Sequence, residues 1–431
     1  LNSITLDSAS TTADSLGLDV NVDSTVTALS VGHITPVSIA TGKSLSGAIA
    51  VTAGSLKLNE TGTLASTVTM SGGTLDADET STVSGALTQT ADIAIDVATG
   101  KTLTYSGAAV NLGAKTLTLS GGGTLSNTNA LVLNNADSLL SLDDSSTVGL
   151  ASVTVGSNAG KGLAVNESST ISSLKVAANT ELKVAQGKVL SGSTEVAAGK
   201  TLKLSGTGTF GSALNLLGTL EAGANLTVSG LISVGGNSAV SIPANTTLTY
   251  TGGDLNVGAY SLSIGGAGTF SNATGSPLVL NVADSILDLS GTGTISGPLK
   301  LEGGTLKASA GSPTISGALT QYDDATIEVA ANQTLNYSGA SLNLGANKLS
   351  LIGGGTLANT NALVLNNADS LLSLAGILTI GDIDGTTSSN SGKGIEVTSS
   401  ATMGDYDLSA VSYLSLAAKQ TLAGQLNLKT N

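Results

Sequence analysis

The chain has 431 residues, 56 of them glycine, with 2% aromatic and 11% charged residues, no cysteine, no tryptophan and a formal charge of −14. All 16 basic residues are lysines. An acidic chain without arginine lacks the clustered cations that grip phosphate backbones or anionic lipid, so neither nucleic acid nor membrane insertion is expected. The 40% hydrophobic content is too high for a disordered linker, and no apolar run reaches the roughly 18 residues of a membrane helix.

In chain order, residues 1–57 set a local pattern. Val37–Ile39, Ile49–Val51 and Leu56–Leu58 are short apolar stretches alternating with Ser, Thr or Lys, separated by Gly, Asn or Asp. Period-two alternation with turn residues between predicts strands, and no window keeps the i, i+3, i+4, i+7 spacing of a helix. The absence of a basic, then apolar, leader at Leu1 suggests a processed or excerpted chain.

From Leu58 a long repeat begins. Residues 60–75 (ETGTLASTVTMSGGTL) match 291–306 (GTGTISGPLKLEGGTL) at an offset of 231, and VSGALTQ at 83–89 matches ISGALTQ at 315–321 at 232. Residues 101–142 recur almost letter for letter at 333–374, and in diverged form at 246–289. The expected organisation is therefore 1–57 as coils of a preceding unit, 58–199 as the first module copy, 200–289 as divergent coils, and 290–431 as the second copy, in one continuous rod.

Within the module, strands are predicted at 103–105, 110–112, 117–119, 124–125, 131–133 and 139–142, one about every seven residues. Three make a coil of about 20 residues, so the expected fold is all-β: a parallel β-helix, or β-solenoid, with inward Leu, Val, Ile and Ala stacked from coil to coil.

Candidate sites are few. Gly-Lys-Thr-Leu at 100–103 and 199–202 lacks the spacing and the following helix of a phosphate loop and reads as a corner turn. His33 is the sole histidine, which leaves no histidine triad and no histidine-rich zinc site. The acidic pairs Asp143/Asp144 and Asp323/Asp324 are each missing from the other copy, so no enzyme is expected. No cofactor is expected; calcium is the one ion left open, on Asp382 and Asp384 of GDIDG. Tyr105, Tyr250 and Tyr337 occupy one repeat position and are expected to pack in the core. Thr-x-Thr at 61/63, 207/209 and 292/294 is too widely spaced along the chain to predict a threonine ladder. A site unique to this chain is expected, if anywhere, in the divergent stretch 201–241.

The repeated LxLxGxGTL and GKTLxLSG phrases resemble the Gly/Ser/Thr-rich passengers of bacterial autotransporters and filamentous-haemagglutinin-like adhesins. That resemblance implies a right-handed parallel β-helix, secreted or held at the cell surface. The expected function is an extracellular fibre, sheath or stalk that self-associates end to end. The alternative is an adhesin binding glycan or a cell-surface ligand along one face.

Overall fold

The computed structural model describes residues 4–6, 17–376 and 379–429; the start of the 1–57 segment, two residues of the second copy and its last two lie outside them. Every described element is a strand, and the strands pair in parallel, as in Leu117 against Leu140. The described residues make about 19 turns of a β-solenoid with about 21 residues per turn, which is the expected fold class. By contacts the chain divides into two compact units, Leu1–Leu214 and Asn215–Asn431.

In the first unit a representative coil runs through Ile93–Val97, Thr102–Tyr105 and Val110–Asn111 before Thr116–Ser120 opens the next. The first strand of each coil builds one sheet; the second and third build another, facing it. In some coils the latter two merge into one bent strand, as in Ser24–Val31 and Ser169–Val176. The predicted strands at 103–105, 117–119, 131–133 and 139–142 all fall within observed ones.

Alternation dictates what each strand buries. Ile93–Val97 turns Ile93, Ile95 and Val97 inward and Ala94 and Asp96 outward. Register then stacks like on like: Leu75, Ile95, Leu119, Leu142, Val165 and Val184 are successive partners, each no more than 3% exposed. Full burial of such a side chain contributes about 1.5–3 kcal/mol, so the column rather than any large residue holds the stack together.

The second unit repeats this stacking, although the third strands Leu255–Asn256, Leu278–Leu280, Leu299–Leu301 and Leu319–Gln321 form a sheet of their own. Ile327, Leu351, Leu374, Val397 and Leu416 are successive partners, each 232 positions after its counterpart among Ile95 to Val184. From Ile95 on, the equal offsets mean that the copies share their coil lengths as well as their letters; the coil before it is one residue longer in the second copy, Leu306 to Ile327 against Leu75 to Ile95. Tyr250 and Phe270 add a ring stack at 6.3 Å inside this unit.

Corners are made by local turns. At 98–101 the Lys101 amide donates to the Ala98 carbonyl at 2.9 Å, and Gly100 takes φ +77°, which L side chains rarely adopt. In the second copy the same turn uses Asn332 at φ +63°, Asn being the non-glycine residue that best tolerates this region. The Gly-Lys phrase is thus a corner, as its spacing predicted.

Candidate functional site

The polar side chains that repeat are consumed between neighbouring coils. The Tyr105 hydroxyl accepts from the Leu87 amide at 3.1 Å and donates to the Ala108 carbonyl at 2.6 Å, closing the bend where the second strand hands over to the third. Tyr337 does the same with Leu319 and Ala340, and Tyr250 accepts from the Ile232 amide. All three rings are buried, as expected, and burial pushes their hydroxyl pKa values up.

One coil on, the register partner of each tyrosine is a buried asparagine: Asn127, Asn272 and Asn359. The Asn127 amide donates to Asn129 and Leu150 carbonyls, and its oxygen accepts from the amides of Gly149 and Leu150. Asn359 makes the corresponding bonds to Asn361, Asp382 and Gly381. Gln89 and Gln321, the last letters of the repeated SGALTQ phrase, reach 27 residues ahead to the Thr116 and Lys348 carbonyls. Sequence reasoning missed the Asn and Gln roles, whose only signal was their identical placement in the copies.

The acidic pairs serve the same end. Asp143 accepts from Ser141 and Asn166, Asp144 from the Gly121 amide, and Asp324 from the Lys348 amide. Asp137, the acidic residue of the opening repeat, binds Asn158, and Asp369 binds Asn390 in the same way. His33 is exposed at a bend. In the first-unit part of the divergent stretch, outward Lys203 is the register partner of Glu181, which also accepts from Ser205.

Charges line the outer face of the single-strand sheet. In the first unit Lys57, Asp76 and Asp96 are successive partners. In the second, Asp288, Lys307 and Glu328 occupy the equivalent positions with the lysine in the middle. Burial holds the Asp76 carboxyl above its ordinary range; Lys57 opposes this, while Asp78 and Asp96 add to it. Lys57 reaches Asp78 at 2.7 Å but Asp76 only at 3.7 Å, so its attraction does not offset the burial. Lys307 sits 2.9 Å from Glu328, and that bond raises its pKa.

Asp382 and Asp384 lie two residues apart around the strand Ile383–Gly385. Asp382 accepts from the Asp405 amide at 3.0 Å. Asp384 is the register partner of Asp407, and burial, with Asp407 opposite, raises its pKa. Lys429, 2.5 Å from Asp407, already supplies a cation there and lowers that carboxyl. Among the described residues no three His, Cys, Asp or Glu side chains are grouped to hold a metal ion.

One expectation is overturned. Threonines do form ladders, once per coil, on the outer side of the coil's second strand. Thr102, Thr124, Thr147 and Thr170 are successive partners in the first unit, and Thr334, Thr356, Thr379 and Thr402 repeat them in the second. The partners lie a whole coil apart in sequence, so Thr-x-Thr spacing within a strand could not reveal them.

No protein-family model, no curated protein and no solved structure matches the chain.

Proposed function

We propose that the chain is a structural repeat protein of the cell exterior, the coiled part of a fibre, sheath or stalk. The observation that carries this reading is the direction of its polar chemistry. Tyr105, Asn127, Gln89 and the Asp143/Asp144 pair spend their hydrogen bonds on the neighbouring coils. Such side chains maintain a stack and leave its length as the property that repetition adjusts. The near-identical coil lengths of the two copies support the same reading.

Self-association is part of the proposal. In the second unit the coil of Leu414–Leu416 and Leu422–Leu428 exposes Leu414, Leu416, Leu426 and Leu428. Exposed leucines of this kind present apolar area that a second β-coil can cover. Electron microscopy of the purified chain tests this. Filaments of solenoid width support it, and uniform single particles at all concentrations would contradict it.

A further inference from the structure

We infer that the second unit carries an ice-binding face, a function beyond the structural role proposed above. On four successive coils the outer side of the second strand presents two parallel columns of hydroxyls. Thr247, Thr269, Thr294 and Thr314 form one column as register partners. Thr249 and Ser271 begin the other. Ser296 and Ser316 continue it, their amides donating to the Phe270 and Ile295 carbonyls of the preceding coils.

Three properties distinguish this grid from an ordinary polar strand. First, it is regular: no register shift interrupts these pairings, so the hydroxyls repeat at about 4.8 Å from coil to coil and about 6.7 Å along each strand. These distances are close to the oxygen repeats of the prism plane of ice. Second, the hydroxyls are idle. Among the described residues only Ser316 of the eight turns its hydroxyl onto the protein, to the Ile295 carbonyl at 3.4 Å. Corner residues such as Thr90 and Thr154, by contrast, bond back to the preceding coil. Third, the strands Thr247–Tyr250, Thr269–Asn272, Thr294–Ile295 and Thr314–Ile315 contain no charged residue, while Asp288, Lys307 and Glu328 lie on the other sheet.

Each threonine contributes a methyl group beside its hydroxyl and holds a restricted χ1, so the column orders water with little rotamer entropy to lose. A free, uncharged, two-dimensional hydroxyl lattice complements a surface that is itself a lattice of hydroxyls. The grid carries no aromatic ring on its outer side, since Tyr250 and Phe270 point inward and are fully buried. A face that stacks sugar rings would need such aromatic platforms. The face is limited to these coils: around Thr356 and Thr379 the surface dips into a trough of about 380 Å³, with Ala358 and Gly381 among its lining residues.

The test is partition of the full chain into slowly growing ice, with thermal hysteresis measured in parallel. The wild-type chain is expected in the ice fraction. Thr269→Lys with Thr294→Lys is expected to stay in the liquid at the level of a non-binding control protein. Ser241→Lys, on the outer face of the opposite sheet, is expected to partition as wild type. If the double lysine variant loses its β-sheet circular dichroism, the near-isosteric Thr269→Val with Thr294→Val is read instead, with loss of hysteresis expected. Exclusion of the wild-type chain from ice overturns the proposal, as does unchanged partition of the folded variants. Retention on crystalline cellulose with exclusion from ice also overturns it, and would place a glycan on this face.

Discussion

Tyr105 and Asn127 are register partners on consecutive coils, and each satisfies buried backbone groups that the bend of its coil leaves open. The hydroxyl of Tyr105 serves two such groups, the Leu87 amide and the Ala108 carbonyl. Tyr105→Phe keeps the ring in the core and strands both. A loss of about 1–3 kcal/mol is expected, the usual penalty for an unsatisfied buried polar group, read from denaturant unfolding followed by circular dichroism.

Asn127→Ala removes a side chain that donates to two carbonyls and accepts from two amides, so it is expected to destabilise more than Tyr105→Phe. Asn272 makes two donor bonds, but its buried oxygen has no partner, so Asn272→Ala is expected to cost less than Asn127→Ala. The ranking of the three midpoints checks this.

Glycines divide into two classes. A Cβ at Gly47 would lie 1.7 Å from the Val26 carbonyl oxygen of the preceding coil, at φ +118°. Gly47→Ala is therefore expected to cost about 1–3 kcal/mol or more, as in an overpacked core. Gly100 has open space around it, and its counterpart in the second copy is Asn332 at nearly the same φ. Gly100→Asn is expected to fall within about 0.5 kcal/mol of wild type. Thermal melts of the two variants separate these outcomes.

Asp76 gives a pH dependence of defined sign. Its folded pKa is raised by burial, so the folded state binds a proton more readily than the unfolded chain. Its contribution to stability is favourable below the ordinary carboxylate pKa and is lost as pH rises through the folded value. Asp76→Asn is therefore expected to melt higher than wild type at neutral pH, with the gap closing as pH falls below the carboxylate range. A gap that widens on acidification would show the Lys57 pairing to dominate instead.

Much of this architecture is legible in the sequence, because the solenoid needs only alternation inside a strand and a turn residue between strands. Leu103, Leu117, Leu131 and Leu140 announce their strands by local pattern, and Gly100 announces its corner. Lateral neighbours are harder to read. Leu75 and Ile95 are partners across one coil, while Ile95 and Leu119 are partners across a longer one, so no constant period aligns the columns. That variation hid the ladder from Thr102 to Thr170, which appears only once each coil's corners have been built. The bonds of Asn127 and Gln89 were hidden for a second reason: their partners are main-chain groups, which carry no sequence signature.

The proposal of a stacking, self-associating protein is tested most directly by sedimentation velocity of the wild-type chain beside Leu426→Lys with Leu428→Lys. Both leucines are exposed, so neither substitution disturbs a buried contact. The account predicts that the wild-type chain sediments as concentration-dependent multimers and fibres, and that the double variant sediments as a single folded chain. A wild-type chain that stays a single species at every concentration, indistinguishable from the variant, would contradict it.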